Sequence, residues 1–222
     1  MFGGFGLYDL WEASPIRFEH TCHESCSEEI IEILFPGDPL LCCGQSRSSF
    51  DMRRRLAWGE ELSQLALVVP NPMLEDGGYT QEGHWSSHCL EATAARVYQV
   101  VEFDFAALDR KGNHTPWTAL IEHWKASGIT IADAEAALHP HLSKHMPLAC
   151  VTSSGGKSLH GWYNASDLPE DDQRGFMERA VALGADRATW VRSQFVRMPD
   201  GLRDNGKRQT CFYLNPQNCI RL

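Results

Sequence analysis

Hydrophobic and polar positions alternate along two stretches in the middle of the chain, and this alternation predicts strands. Residues 96–105 read Arg-Val-Tyr-Gln-Val-Val-Glu-Phe-Asp-Phe, a composition rich in the β-branched and aromatic side chains that favour strands. Residues 151–163 read Val-Thr-Ser-Ser-Gly-Gly-Lys-Ser-Leu-His-Gly-Trp-Tyr. Because a glycine pair accommodates the positive φ of a tight turn, the second stretch is predicted to be a hairpin.

Helical periodicity and capping signals predict helices elsewhere in the chain. The predicted helices are residues 28–34, 53–64, 115–128, 130–145 and 169–184. Thr115 and Thr130 are predicted N-caps, since a threonine hydroxyl accepts a hydrogen bond from a free N–H of the first turn. Gly184 follows the last helix, where a left-handed glycine is typical. Residues 65–69, 190–197 and 209–214 are predicted strands, and residues 71–87 a loop.

Composition indicates a globular protein without a membrane partner. No stretch approaches the roughly 18 apolar residues of a membrane helix. The N-terminal sequence Met-Phe-Gly-Gly-Phe-Gly lacks a basic region and a cleavage signal, so we expect a cytoplasmic protein. In that compartment the eight cysteines are expected to be thiols.

Charge is distributed unevenly along the chain. The net charge of −9 opposes nonspecific coating of DNA, yet residues 187–222 carry seven lysines and arginines against two acids. A basic segment on an acidic body fits either a local phosphate site or a solvated pair of charged strands.

Two carboxylates lie near the end of the first predicted strand. Glu102 and Asp104 are two residues apart, so their side chains share one face, with Cα atoms about 6.6 Å apart. Two carboxylates about 4 Å apart repel by roughly 4 kcal/mol at an effective dielectric constant near 20. The pair therefore indicates a divalent cation or a shared proton, or else the polar outer face of an edge strand.

The glycine hairpin carries a second group of polar side chains. Ser158 and His160 share a face of the predicted strand, and with Lys157 and the N–H groups of the turn they form a candidate phosphate grip. The segment is not a P-loop, because the fifth residue before Gly156 is Val151 rather than glycine. His160 could instead be a strand histidine hydrogen-bonded in the core.

Cysteines and histidines form two further groups. The first contains His20, Cys22, His23, Cys26, Cys42 and Cys43. Its Cys-x3-Cys spacing allows a zinc site, but adjacent cysteines rarely both bind one ion, so buried or surface thiols are the favoured interpretation. The second group, His139, His141 and His145, has no matching carboxylate pattern and is predicted to face solvent.

The order of these motifs resembles the archaeo-eukaryotic primase superfamily, and within it the bacterial, phage and plasmid primase-polymerases. The acid-x-acid motif of that family is similar to Glu102-Phe103-Asp104, its Ser-x-His motif to Ser158-Leu159-His160, and its single acid after a helix to Asp186. Residues 194–209 are similar to its Arg-x-Pro-Gly and Gly-Lys pattern. The chain departs from the family where Glu102 replaces the usual Asp.

The resemblance implies an α+β fold in which an N-terminal α/β module packs on an RNA-recognition-motif-like module, with the active site between them. Residues 1–94 would form the N-terminal region and residues 95–222 the catalytic core of one integrated domain. The implied activity is template-directed primer synthesis by a nucleotidyltransferase, a DNA primase and polymerase. Its partners would be a single-stranded DNA template, NTPs or dNTPs, and a fused or separate helicase.

The resemblance also implies roles for individual residues. Two Mg²⁺ or Mn²⁺ ions would be held by Glu102, Asp104 and Asp186. The incoming nucleotide would be bound by Ser158, His160, Lys157 and Arg197, and the nucleic acid by Arg203, Lys207 and Arg208.

Two other functions use the same inventory of residues. A metal-dependent nuclease or phosphodiesterase would need the same carboxylates but no nucleoside triphosphate. A noncatalytic replication or defence module would bind nucleotide or DNA without making product.

Overall fold

The structure is a computed structural model that describes residues 5–18, 26–109 and 111–220. Helices and antiparallel strands are mixed along the chain, so the expected α+β class is confirmed. No helix within the described ranges combines the length and apolar character needed to cross a membrane.

The elements follow one another in a single series. They are α1 (Leu7–Glu12), α2 (Ser27–Leu34), β1 (Leu40–Ser46), β2 (Ser49–Arg54), α3 (Arg55–Trp58), β3 (Leu67–Val68), β4 (Gly78–Tyr79), β5 (Trp85–Ser86), β6 (Tyr98–Glu102), α4 (Thr118–Ala126), α5 (Ile131–Leu142), β7 (Leu148–Ser153), β8 (Leu159–Asn164), α6 (Glu170–Ala182), β9 (Val196–Arg197) and β10 (Cys211–Leu214). Short 3₁₀ helices cover Gly59–Gln64, Arg187–Trp190 and Pro216–Asn218.

One four-stranded sheet, which we call the central sheet, has the strand order β10-β7-β8-β6. Its strands are antiparallel, and Glu102 at the end of β6 lies directly opposite His160 in β8. Side chains on one face, including Phe103 and Tyr163, pack with α4, α5 and α6 in one apolar core. The opposite face therefore remains for contact with the rest of the molecule.

A second four-stranded sheet, the small sheet, has the order β2-β1-β3-β9. Its last pairing joins Leu67 to Arg197 and Val68 to Val196, so strands from both ends of the chain share it. A second apolar core, which contains Leu41 from the small sheet and Trp162 from the central sheet, fills the space between the two sheets. The two sheets are therefore held together by this apolar packing as well as by the chain segments that connect them.

Several sequence predictions are confirmed by the structure. The hairpin of β7 and β8 turns at Gly155, whose φ of 64° is left-handed. Thr130 caps α5 in a reciprocal pair with Asp133. Gly184, with a φ of 104°, follows the end of α6.

Other boundaries were wrong. Residues 53–64 are not one helix, because β2 continues to Arg54 before α3 and a 3₁₀ turn begin. Helix α4 begins at Thr118 rather than near Thr115, whose hydroxyl accepts a hydrogen bond from Trp117 N (3.1 Å) ahead of the helix. The strand predicted over 190–197 is limited to β9, and the predicted loop 71–87 contains the β4–β5 hairpin.

The cysteine group is only partly covered by the structure. Cys42 and Cys43 are buried in β1, and burial raises the pKa of Cys42 to about 12. His20, Cys22 and His23 lie outside the described residues, so the zinc hypothesis stays a prediction.

Candidate active site

An open cleft of about 580 Å³ lies between the central sheet and the small sheet. Its lining includes Glu102, His160 and Asp186, and also the three arginines Arg47, Arg197 and Arg203. Acidic and basic groups therefore border one space, which can accept both cations and phosphates.

Glu102 is the centre of the acidic side. Ser158 Oγ donates a hydrogen bond to Glu102 Oε1 (2.9 Å), and His160 Nε2 lies 3.3 Å from the same oxygen. Burial opposes ionisation of this carboxyl group, but His160, Ser158 and Arg197 together lower its pKa to about 2. The prediction that Ser158 and His160 share one face is confirmed. Both side chains contact the ionised carboxylate of Glu102 on the neighbouring strand.

Asp186 is held beside Glu102 by the backbone. Its N–H donates to Glu102 O (2.8 Å), and the preceding Ala185 pairs with Phe103 as an isolated bridge. Its Oδ1 atom accepts a hydrogen bond from Ala188 N (2.9 Å), which caps the following 3₁₀ turn. Two acids that are far apart in the sequence therefore border one cleft.

Asp104 lies just beyond the end of β6 and is not among the residues that line the cleft. Its side chain is exposed, whereas the neighbouring Phe103 and Phe105 are buried. In the part of the chain that the structure describes, no three His, Cys, Asp or Glu residues are grouped closely enough to hold a metal ion.

The donor set nevertheless fits a divalent cation chemically. Glu102 and Asp186 each use one carboxylate oxygen in a hydrogen bond within the described residues, and each retains a second oxygen. Carboxylate oxygens are the ligands that Mg²⁺ and Mn²⁺ prefer. Asp104, whose side chain is exposed, is the next carboxylate along the chain after Glu102.

The basic side of the cleft consists of Arg47, Arg197 and Arg203, which we call the arginine cluster. None of the three forms an ion pair with another described residue, although Arg203 donates to Ser154 O (3.2 Å). Burial lowers the pKa of Arg197, and the charges of Arg203 and Arg47 lower it further, against the opposing effects of Glu102 and Asp204. Like charges gathered in this way favour a bound anion such as a phosphate.

Three of the predicted binding residues lie outside this arrangement. Lys157 borders a separate depression beside α4 and α5. Lys207 is exposed at a turn, and Arg208 donates to Asp200 O (2.9 Å) and lies 3.6 Å from the Asp200 carboxylate. Arg208 is therefore engaged in holding the turn at Asp200.

Two buried polar residues behind the site were missed or misread from the sequence. His139, predicted to face solvent, is fully buried, and its Nδ1 atom lies 2.9 Å from the Tyr163 hydroxyl. Glu135, one turn earlier on α5, is also fully buried, and its Oε2 atom accepts a hydrogen bond from Leu159 N (2.7 Å). The Glu-x3-His spacing on one helix face was the signal that could have found them.

Comparisons of the chain with protein-family models, with curated proteins and with solved structures found no match. The geometry of the cleft and the order of its residues along the chain are therefore what point to a function.

Proposed function

We propose that this protein is a DNA primase and polymerase that synthesises primers on a single-stranded DNA template by nucleotidyl transfer. The observation that carries the proposal is the hydrogen bond from Asp186 N to Glu102 O (2.8 Å), with Ser158 and His160 both directed at the Glu102 carboxylate. Residues from three separate motifs thereby border one cleft, together with the arginine cluster.

The acidic side is assigned to the metal ions. Glu102, Asp104 and Asp186 would hold two Mg²⁺ or Mn²⁺ ions, which when bound activate the attacking 3′-hydroxyl and neutralise the leaving pyrophosphate. The low pKa of Glu102, about 2, keeps its carboxylate ionised at neutral pH. Ser158 orients that carboxylate by donating to one oxygen, which leaves the other oxygen for the cation.

The basic side is assigned to the triphosphate. Arg197 is half-buried at the edge of the small sheet, and Arg203 reaches the same cleft from the following turn. Guanidinium groups bind phosphate oxygens through two parallel hydrogen bonds, so the cluster can hold and orient a polyphosphate. His160 is buried behind the Glu102 carboxylate, so it would act on the nucleotide by holding that carboxylate rather than by an open contact with phosphate.

The finer fold belongs to this proposal as well. The central sheet with α4–α6 contains a split β-α-β arrangement, in which β8 lies between β6 and β7, and it would form the RNA-recognition-motif-like module. The small sheet with α2 would form the N-terminal module. The cleft between the two sheets is where the resemblance expects the active site.

The nucleic acid is assigned to the exposed end of the basic segment. Arg203 and the exposed Lys207 lie on one turn next to the cleft, where they can contact template phosphates, and Arg208 holds that turn through Asp200. A helicase, fused or separate, remains a candidate partner, and the proposed site of action is the cytoplasm.

The test is primer synthesis on single-stranded DNA with labelled NTPs and dNTPs in the presence of Mn²⁺. We expect labelled product from the unmodified protein and at least a 100-fold loss in the Asp186→Asn variant, because a lost metal ligand removes several kcal/mol of transition-state stabilisation. The Asp104→Ala variant is expected to abolish synthesis with the fold intact.

A matched control is Asp204→Asn, which removes another acid that borders the same cleft and should leave synthesis within about twofold. Equal activity of the Asp186→Asn variant and the unmodified protein would rule out the assigned site. Cleavage of DNA without nucleotide incorporation would identify a phosphodiesterase. Nucleotide binding that survives EDTA, without product, would identify a noncatalytic module.

A further inference from the structure

Helix α5 crosses the back of the central sheet directly behind the Ser158–His160 segment. Its buried face carries Glu135 and His139, one helical turn apart and both fully inaccessible to solvent. A Cβ atom added at Gly161 would lie 2.3 Å from His139 Nδ1, so the helix packs against the backbone of β8 without intervening side chains. Groups on this face of α5 therefore contact β8, the strand that carries His160 and directly follows Ser158.

Glu135 contacts that strand at one atom. Its Oε2 accepts a hydrogen bond from Leu159 N at 2.7 Å. Leu159 lies between Ser158 and His160, the two residues directed at Glu102 on the opposite face of the sheet. The carboxyl group thus fixes the backbone between two side chains whose positions define the acidic side of the cleft.

The environment of Glu135 favours a neutral carboxyl group. Burial, with a further contribution from the negative charges of Glu102 and Asp104, raises its pKa to about 9 against the lowering effect of the Leu159 bond. A protonated carboxyl group still provides the acceptor oxygen that Leu159 needs. It also provides an O–H donor at Oε1, which has no acceptor among the described protein groups.

His139 provides a complementary group on the same helix face. The Tyr163 hydroxyl donates to His139 O (3.1 Å) and also lies 2.9 Å from His139 Nδ1. His139 Nε2 is buried and has no hydrogen-bond partner of ordinary geometry among the described residues. Burial and the neighbouring His160 lower the pKa of His139 to about 3, so the ring is neutral.

A carboxyl group at this position is not explained by packing alone. A leucine would fill nearly the same volume without the cost of removing a polar group from water. The only hydrogen bond that Glu135 makes through its side chain within the described residues is the one to Leu159 N. Its physical effect is therefore on the start of β8.

We propose that Glu135 is a positioning residue whose buried carboxyl group fixes the start of β8, and with it the Ser158 hydroxyl and the His160 ring, for nucleotide binding. The nucleotide-binding part of this inference rests on the proposed function. The positioning part rests on the Leu159 contact alone and can be measured separately.

The test compares three substitutions at one position. Glu135→Gln keeps an acceptor oxygen of the same reach, Glu135→Asp keeps the acid but shortens it by one methylene, and Glu135→Leu keeps the volume without an acceptor. The matched control is Glu122→Leu, which removes an exposed glutamate from α4. Each variant is first checked by thermal unfolding, and Glu135→Asp carries the comparison if Glu135→Leu does not fold.

Two readouts are then taken. Amide exchange of Leu159, resolved by NMR, should accelerate at least tenfold in the Asp and Leu variants and change by less than about threefold in the Gln variant and the control. The KM for the nucleotide in primer synthesis should rise about tenfold in the Asp and Leu variants, with a smaller change in kcat and with recovery in the Gln variant.

Unchanged Leu159 exchange in both the Asp and Leu variants would overturn the proposal, as would a Gln variant that loses protection equally. Changed exchange with an unchanged nucleotide KM would overturn the role in nucleotide binding. If the unmodified protein makes no primers, the proposed function fails, while the exchange result still decides whether Glu135 positions β8.

Discussion

Two glutamates lie on opposite faces of the central sheet, and they are held in opposite protonation states. Glu102 borders the cleft, where His160, Ser158 and Arg197 lower its pKa to about 2 despite partial burial. Glu135 lies on the helix face, where burial raises its pKa to about 9. One face thus carries a fixed negative charge, and the other carries a neutral acid at the same pH.

The difference shows what each face of β8 can do. A carboxylate near donors and beside open space can bind a cation, because its charge is already stabilised and part of it remains accessible. A carboxyl group sealed beneath a helix can only hold neighbouring groups in place. Active sites often contain titratable groups whose environments shift their pKa values in opposite directions, because the groups have different roles.

The largest expected effect comes from removing the charge on the cleft face. Glu102→Gln should lower primer synthesis at least 100-fold, because the amide cannot replace an anionic metal ligand. The bond from Asp186 N to Glu102 O involves the backbone, so the geometry of the site should persist. The measurement is kcat/KM for nucleotide incorporation, together with circular dichroism to confirm the fold.

A control on the other face sharpens this prediction. Glu135→Gln should retain synthesis within a few-fold, because the amide oxygen still accepts from Leu159 N. Equal losses in Glu102→Gln and Glu135→Gln would remove the functional distinction between the two faces.

The next effect is on stability and tests how closely the helix face is packed. Gly161→Ala should destabilise the protein by about 3 kcal/mol, since its new methyl group would lie 2.3 Å from His139 Nδ1 in a region without free space. The measurement is urea unfolding. Gly175→Ala is the matched control: no atom lies near its added methyl group, and a helical glycine replaced by alanine should stabilise α6 by about 0.5–1 kcal/mol. Similar effects of the two changes would contradict the packing described here.

The cleft face was largely predictable from the sequence, and the helix face was not. Alternation along β6 and β8 placed Glu102, Ser158 and His160 correctly, because a period of two assigns side chains to faces regardless of tertiary context. In α5, alanines lie on both sides of the helix, so periodicity does not reveal which polar residue faces inward. Full burial of a glutamate and a histidine is uncommon and was not expected.

The small sheet was only partly predicted, and Arg47 was not among the candidate residues. The β1–β2 hairpin turns at Arg47-Ser48, which lack the glycine or asparagine that usually marks a tight turn. Strands β3 and β9 lie within the predicted strands 65–69 and 190–197, but each has only two residues, and their pairing with each other was not predicted. Their pairing joins distant segments, so its energy comes from tertiary packing rather than from local sequence preference.

A pH-dependent effect on stability should identify Glu135 as the neutral acid. The unfolded chain ionises this glutamate near pH 4.5, whereas the folded protein keeps the proton up to about pH 9. Between these values the folded state binds one proton more, so its stability falls as pH rises. Glu135→Gln lacks this loss, so the amount by which its free energy of unfolding exceeds that of the unmodified protein should grow by about 1.4 kcal/mol per pH unit between pH 5 and pH 8.

Urea unfolding at the two pH values provides the measurement, with Glu122→Gln on the exposed face of α4 as the control. A difference between the Glu135→Gln variant and the unmodified protein that stays constant from pH 5 to pH 8 would show that Glu135 is ionised in the fold. The contrast with Glu102 would then disappear.

The smallest effects come from single hydroxyl groups, one on each face of β8. Tyr163→Phe should cost about 1 kcal/mol of stability, because it leaves the buried His139 Nδ1 without its partner, and it should not change primer synthesis. Ser158→Ala should lower synthesis about tenfold, because Glu102 loses the donor that orients it, and should change stability by less than about 0.5 kcal/mol. Stability and primer synthesis are both measured in both variants. Tyr163→Phe is expected to lower mainly stability, and Ser158→Ala mainly synthesis. If Tyr163→Phe lowers synthesis as much as Ser158→Ala, the helix face takes part in the chemistry itself and the division between the two faces is wrong.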